Sequence, residues 1–182
     1  MPVIIVVGFA VVIGLYVWSV YNGLIQGNEQ IKEAVAQIDV QLKRRSDLIP
    51  NLIETVKGYA KHEKSIFEDV TKARSSMMKA DSMEGKAKAS DALSSAVKSI
   101  LAIAENYPKL EANENFKQLQ QELSDTEDKI SYARQFYNTM VMDFNVKVQM
   151  FPSNMIAGNL GFKEQEFFKT TEEEKKNVKV NF

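Results

Sequence analysis

The sequence predicts an all-α fold: a single N-terminal transmembrane helix followed by an up-and-down antiparallel bundle of three long helices and a short fourth helix. Three observations support this fold class. No charged side chain precedes Glu29, and beyond it apolar residues recur in alternating steps of four and three. The 182 residues include only 8 Gly and 4 Pro, too few for the many turns of an all-β protein.

The N-terminal segment has the length and composition of a membrane-spanning helix. Residues 2–21 read PVIIVVGFAVVIGLYVWSVY, 20 residues without a charge, and at ~1.5 Å per residue they cross the ~30 Å of hydrocarbon in a bilayer. Tyr16, Trp18 and Tyr21 gather at its C-terminal end, where aromatic rings favour the headgroup layer. A cleaved signal peptide is the alternative, but its basic start and small-residue cleavage site are missing. We therefore expect residues 1–23 to be an anchor.

The charges on either side of this segment bear on its orientation. Only the α-amino group precedes it, whereas Lys32 and the run Lys43, Arg44 and Arg45 follow it. Positive charge is retained on the cytoplasmic side of an inner (plasma) membrane. The difference of a few charges favours a single-pass protein with its N-terminus outside and its bundle in the cytoplasm.

A first long helix is predicted by a 3.5-residue apolar period, typical of a coiled-coil-like seam. Only Arg45 and Glu63 interrupt the seam. Each lies either at a frayed edge or, as a buried polar group, fixes the register; the edge is the simpler interpretation. The apolar seam residues are Ile31, Val35, Ile38, Leu42, Ile49, Leu52, Val56, Tyr59, Ile66, Val70, Ala73 and Met77.

We expect this helix to continue from the membrane segment to about Lys79. Pro50 removes an amide donor and crowds the preceding turn, which predicts a kink at residues 46–50 or, alternatively, a full break there. A helix of this extent exceeds the second helix by tens of residues. Part of its apolar stripe must therefore be covered by the third helix, the fourth helix or another chain.

Turn residues separate the second helix from its neighbours. Residues 80–85, ADSMEG, supply turn formers and predict a chain reversal. The second helix then runs to Asn106, because Pro108 prevents its continuation. Its expected buried face consists of Leu93, Ala96, Ile100, Ile103 and Tyr107.

Asn113 is the expected N-cap of the third helix, which stops near Phe151 and Pro152. Ser153 then caps a short fourth helix that ends at Gly161 in the left-handed conformation. The third seam contains Phe116, Leu119, Leu123, Thr126, Ile130, Ala133, Tyr137, Met140, Phe144 and Val148.

The bundle is expected to occupy residues 24–168, with a polar C-terminal tail at 169–182. Within the tail only Val178, Val180 and Phe182 alternate as apolar residues. A disordered tail is one interpretation. The other is a strand that pairs with a neighbouring subunit, since an alternation of two suits strand addition.

Composition argues against several classes of function. With 23 Lys and Arg against 24 Asp and Glu, the formal charge is −1, so no basic field attracts nucleic acid. Without cysteine there is no thiol nucleophile or disulfide. His62 is the single histidine, whereas a helical zinc site needs two and a di-iron bundle needs two Glu-x-x-His motifs. We therefore expect no enzyme, no metal and no cofactor.

Three sequence blocks resemble the LemA family. They are YNGLIQGNEQIKEAVAQIDVQLKRRSDLIPNLIETVKGYAKHE, LAIAENYPKLEANENFKQLQQELSDTEDKISYARQFYN and MDFNVKVQMFPSNMIAGNLGF, in the family's order. The resemblance implies a bacterial membrane protein with about four bundled helices on a membrane anchor. It implies no enzyme. One relative, in magnetotactic bacteria, is implicated in forming the magnetosome membrane, which implies a role in membrane organisation or scaffolding.

The third block also contains candidate contact residues. Asn145 and Asn154 are interpreted first as cap and turn formers. Their place in the family-like block, with Phe162, makes them candidate subunit contacts together with the apolar tail residues. We expect copies of the chain to form a large homo-oligomer that scaffolds or shapes the membrane. The alternative is a monomeric or dimeric membrane-tethered adaptor that binds another membrane protein, such as a protease or a transporter.

Overall fold

The computed structural model describes residues 2–168, and every regular element within them is a helix. The predicted all-α class is therefore confirmed over this part of the chain. The helices are α1 (Pro2–Lys57), α2 (Lys64–Met78), α3 (Met83–Ala104), α4 (Pro108–Glu111), α5 (Glu114–Gln149) and α6 (Ser153–Asn159).

The described residues divide into two compact units. Residues 2–37 and 134–167 form one, called here the anchor unit because it contains the apolar N-terminal segment. Residues 38–133 and Phe168 form the other, called here the bundle unit. The predicted domain limits at residues 23 and 168 stay a prediction.

The first helix, α1, extends without interruption from the apolar segment to Lys57 and includes Pro50. A full break at Pro50 therefore does not occur. The expected continuation to Lys79 is wrong, because the chain leaves the helix at Gly58, a residue that costs about 1 kcal/mol relative to Ala in a helix interior. The next two amide groups both bond to the carbonyl oxygen of Val56, which turns the fully buried Ala60 inward.

His62 lies in this turn, not on the first helix as the expected continuation to Lys79 implies, and its side chain is exposed.

The seam of α1 begins earlier than predicted. Leu24 is fully buried, and Ala34 occupies the centre of the seam while the predicted Val35 is half-buried. The chain itself buries this stripe along the rest of the helix, so helix length alone does not require a second chain. The buried apolar residues are Leu24, Ile31, Ala34, Ile38, Leu42, Leu48, Ile49, Leu52, Ile53 and Val56.

Within the bundle unit, α1, α2, α3 and α5 alternate in direction. Contacts between residues of different helices show that α1 runs parallel to α3 and antiparallel to α2 and α5, as an up-and-down bundle requires. The contacts are Asp39–Lys86 and Arg45–Ser94 with α3, Ser46–Arg74 and Lys57–Phe67 with α2, and Arg45–Glu127 and Tyr59–Asn113 with α5.

Side-chain caps fix two helix starts. Asn113 caps α5 as predicted, because its Oδ1 accepts the amide hydrogen of Phe116 at 3.1 Å. Ser82 caps α3 in the same way, with Oγ accepting from the Gly85 amide at 3.0 Å. The predicted chain reversal between α2 and α3 is thereby confirmed.

The short helix α6 has a different start from the one predicted. Ser153 is its first residue, and its hydroxyl donates to main-chain carbonyls at the end of α5. Its expected role as an N-cap is therefore wrong. Gly161 confirms the predicted left-handed stop with a φ of 77°, and the amide of Phe162 closes the end by donating to the carbonyl of Ala157 at 3.0 Å.

Arg45 is a buried member of the α1 seam, with 4% of its surface exposed. Its Nη1 lies 2.6 Å from Oε2 of Glu127 and donates to Oγ of Ser94 at 2.9 Å. The expectation of a frayed edge is therefore wrong for Arg45, which is a buried and paired cation. Glu63 is half-buried in the turn before α2, where an edge was expected.

Replacing Glu127 by Ala should destabilise the bundle unit, because it removes the carboxylate that pairs with a buried guanidinium. We expect a loss of about 1–3 kcal/mol, less than the ~3–5 kcal/mol of a fully buried pair, because 43% of the Glu127 side chain is exposed. Urea unfolding of the full chain in mild detergent, followed by circular dichroism, measures this loss.

The matched control for that experiment is Asp47→Ala, which breaks the exposed pair of Asp47 with Lys43 and should cost roughly 0–1 kcal/mol. Converting both partners to apolar residues, in Arg45→Met with Glu127→Leu, should recover part of the loss. Equal losses in Glu127→Ala and Asp47→Ala would contradict a stabilising role for the buried pair.

Candidate membrane and subunit interfaces

The apolar part of α1 is exposed along its length. Among the described residues, α1 is the one helix long and apolar enough to cross a membrane, and none of its most apolar stretch is buried by the rest of the chain. In water, a helix that is apolar on every side would expose apolar side chains all around. In hydrocarbon these side chains are compatible with the solvent, and the backbone needs no water because all its hydrogen bonds are internal. Length and composition therefore fit a membrane span.

Tyr16, Trp18 and Tyr21 are exposed at the C-terminal end of this stretch. Packing against the rest of the chain begins beside them, with Val20 and Gly23 half-buried and Leu24 fully buried. The three aromatic residues thus lie where α1 changes from exposed on all sides to packed on one. Their location in the headgroup layer stays a prediction.

In the anchor unit α1 and α5 approach closely at Gly27. A Cβ atom added there would lie 3.0 Å from Cδ2 of Phe144, so the missing side chain makes room for the ring. Further along, Nζ of Lys147 lies 3.5 Å from the carbonyl oxygen of Gly23. These two contacts show that α5 runs antiparallel to α1, towards the apolar end of that helix.

Asn145 holds the segment that follows α6. Its Nδ2 donates to the carbonyl of Gln165 at 2.9 Å, and its Oδ1 accepts from the amide of the same residue at 2.8 Å. A side-chain amide thereby pairs with a main-chain unit as a neighbouring strand would. Asn145 is buried, and its partner is 20 residues away, so its expected role as a local cap or turn former is wrong.

Two aromatic residues complete this attachment. The hydroxyl of Tyr137 donates to the carbonyl of Glu166 at 2.8 Å, and the ring of Phe162 packs edge-on against Phe144 with centroids 6.2 Å apart. Burial, and then the charge of Glu166, raise the pKa of Tyr137 above its ordinary value of 10.0. The hydroxyl therefore stays protonated at neutral pH, as a donor must. Residues 162–166 are called here the strap.

The structure brings some of the predicted contact residues together and leaves others apart. Asn145 and Phe162 both hold the strap, whereas Asn154 is exposed on α6. Val178, Val180 and Phe182 lie outside the described residues. A subunit contact at any of these positions stays a prediction.

Sequence reasoning placed Tyr137 and Arg45 on the apolar seams of their helices but missed the polar contacts of both. The sequence does indicate that each of these residues needs a polar partner, because a buried tyrosine hydroxyl or guanidinium must be hydrogen-bonded. The sequence does not identify the partner, because Tyr137 bonds to a main-chain carbonyl 29 residues away.

The arrangement of the described residues supplies contact surfaces. Within residues 2–168, no three or more His, Cys, Asp or Glu side chains are grouped so as to hold a metal ion.

Comparison with known proteins identifies the family. The LemA family model matches residues 34–182, well over half of the chain. The chain belongs to the LemA family. The relatives it resembles include Protein LemA of Metamycoplasma hominis, 26% identical over 175 residues that cover 93% of this chain and 80% of the relative.

Other relatives carry a magnetosome name. Magnetosome protein MamQ 2 of Paramagnetospirillum magneticum and Magnetosome protein MamQ of Magnetospirillum gryphiswaldense are each 25% identical over 174 residues. These matches cover 81% of this chain and 64% of the relative. The chain therefore spans less than two thirds of the length of the MamQ proteins. The resemblance to the LemA family found in the sequence is confirmed.

Replacing Asn145 by Ala should release the strap, because two hydrogen bonds to Gln165 are lost together. At ~0.5–1.5 kcal/mol for each bond, local stability should fall by about 1–3 kcal/mol. Hydrogen exchange at the Gln165 amide, measured by mass spectrometry on the full chain, reports this loss as faster exchange.

Asn145→Asp keeps the acceptor for the Gln165 amide but sets a buried carboxylate oxygen against the Gln165 carbonyl, so its exchange should be at least as fast as that of Asn145→Ala. Asn154→Ala removes an exposed asparagine of α6 and should leave exchange at Gln165 unchanged. If Asn145→Ala also left it unchanged, Asn145 would not hold the strap.

Proposed function

We propose that this LemA-family chain is a non-enzymatic membrane protein whose copies associate side by side into a large homo-oligomer that organises or shapes the membrane. The observation that carries the proposal is the two-part character of α1. Its first part is apolar and exposed, while its second part is a seam buried in the core. One helix thus links a lipid-compatible segment to a packed domain. The magnetosome proteins among its relatives agree with a membrane role.

Self-association is supported by an exposed apolar stripe on α5 in the anchor unit. Met142 and Val146 lie four residues apart, on one face of the helix, with 50% and 44% of their surface exposed. Scattered apolar residues on a soluble protein need no partner. Here, however, the anchors of neighbouring copies share one bilayer, which raises the effective concentration of one stripe for the next. A net charge of −1 offers little repulsion.

An adaptor function is the second candidate, favoured by a cavity in the bundle unit. The cavity holds about 290 Å³ and is lined by Leu42, Met77 and Met78, with Asp39 and Lys86 also at its wall. Methionine side chains adapt to differently shaped partners. A membrane-tethered monomer or dimer could present this surface to another membrane protein, such as a protease or a transporter.

The mass of the full chain in mild detergent, measured by light scattering with particle imaging, tests the scaffold. We expect a large, uniform assembly. Val146→Lys should reduce the particle size, because it puts a charge on the exposed stripe without disturbing the core. Val40→Lys introduces the same charge at an exposed valine of α1 in the bundle unit and should leave the size unchanged.

A monomer or dimer of the unsubstituted chain would contradict the scaffold and favour the adaptor. A large assembly that survives Val146→Lys would exclude the α5 stripe as the contact between copies.

The bundle is proposed to face the cytoplasm. Lys147 lies beside Gly23, and Lys32 and Lys163 add positive charge on the bundle side of the apolar segment. Protease added to intact spheroplasts should therefore leave the bundle uncut, and the same protease should cut it after lysis. Cleavage of the bundle in intact spheroplasts would contradict this orientation and place the bundle outside the cytoplasm.

A further inference from the structure

The chain from the end of α5 through α6 has the composition of a segment that binds a membrane surface. Residues 148–162, VQMFPSNMIAGNLGF, contain no charged side chain, and Lys147 and Lys163 stand immediately on either side. We call residues 148–161, which precede the strap, the α6 turn. A cation at each edge of an uncharged apolar segment suits the boundary between acyl chains and anionic headgroups.

The apolar side chains of the α6 turn are exposed. Phe151 has 77% of its surface exposed and Met155 has 63%. Met150 and Leu160 are exposed as well. An apolar group of this size, gathered within a single turn and a short helix, exceeds the isolated exposed residues of an ordinary soluble surface.

The α6 turn lies level with the end of the membrane segment. Passing from Phe144 to Lys147 on α5 moves the contact on α1 from Gly27 to Gly23. The helical bonding of α5 continues through Met150, whose amide donates to the carbonyl of Val146. At ~1.5 Å per residue it therefore extends about 5 Å further in the same direction and reaches the level of Tyr21 and the residues just before it. The α6 turn therefore faces the zone in which α1 carries its aromatic residues.

Several main-chain groups of the α6 turn are paired within the chain. The hydroxyl of Ser153 donates to the carbonyls of Lys147 and Met150, and the amide of Asn154 donates to the carbonyl of Met150 at 2.8 Å. The amide of Phe162 closes the other end of α6. Backbone groups paired in this way can leave water at low cost, which a segment entering the interface requires.

We infer that the α6 turn is a second membrane contact of this chain, inserted at the headgroup and acyl-chain boundary of the same bilayer that α1 crosses. The inference rests on the proposed anchoring by α1. The strap, attached by Asn145 and Tyr137, leads directly out of the α6 turn and fixes its position on α5. The chain thus meets the membrane with a spanning helix and with an apolar turn beside it.

Depth-dependent fluorescence quenching in full-length protein tests this contact. Trp18 is the single tryptophan, so Trp18→Phe gives a silent background that keeps an apolar aromatic residue in the segment. Phe151→Trp in that background puts the probe on the α6 turn. Vesicles of phosphatidylcholine and phosphatidylglycerol, with a nitroxide at a shallow acyl position of a fraction of the lipid, act as the quencher.

The matched control is Phe167→Trp in the same background. Phe167 is also an exposed phenylalanine of the anchor unit, with 47% of its surface exposed. It follows the strap residue that bonds to Tyr137, which lies about 20 Å further from the membrane along α5 than Phe151. Met155→Trp is a second probe of the α6 turn should Phe151→Trp fail to fold, and flotation with vesicles verifies insertion of each variant.

We expect the nitroxide lipid to quench the Phe151→Trp variant about as strongly as it quenches Trp18 in the unsubstituted chain, and several-fold more than the Phe167→Trp variant. Strong quenching of Trp18 with equal, weak quenching of both variants would overturn the second contact and leave the anchor intact. Absence of quenching at Trp18 would overturn the anchor itself. Blue-shifted emission from Phe151→Trp that lipid does not quench, and whose shift grows with protein density, would assign the α6 turn to a contact between copies instead.

Discussion

A single uninterrupted helix that must suit two solvents is the constraint on which the rest of the structure depends. Between Tyr21 and Leu24, α1 changes from apolar on every side to apolar on one stripe. Hydrocarbon requires the first pattern and a packed core the second. Gly27 serves this transition, because the absence of a side chain lets Phe144 pack against α1 close to the point where the exposed segment ends.

The features that follow from local periodicity could be predicted from the sequence. The apolar segment, the seams of α1 and α5, the turn before α3 and the cap at Asn113 each depend on residues within a few positions of one another. The break at Gly58 was missed because the apolar period continues through it to Tyr59 and resumes in α2. A repeating pattern does not reveal whether the helix that carries it is interrupted, and here one glycine and the buried Ala60 decide the matter.

The polar contacts could not be predicted, because each joins residues far apart in the chain. The sequence suggests that Arg45 interrupts a seam at its edge, whereas its pairing with Glu127 of α5 and its hydrogen bond to Ser94 make its burial tolerable. Asn145 looked like a cap, yet its partner is Gln165. In both cases the residue type indicated that a partner was needed. The topology, which sequence periodicity does not specify, supplied it.

These distant polar contacts have a physical role that apolar packing cannot fill. Seams of Leu, Ile, Val and Ala at heptad-like spacing resemble themselves when shifted by one repeat, so hydrophobic burial alone discriminates weakly between registers. A guanidinium that finds its carboxylate in one register only, as Arg45 finds Glu127, penalises the shifted alternatives by leaving a charge unpaired. Asn145 determines the position of the strap in the same way, because its side-chain amide can pair with one main-chain unit at a time. The apolar seams therefore supply most of the stability of each unit, while a few buried polar residues specify which helix and strap positions meet.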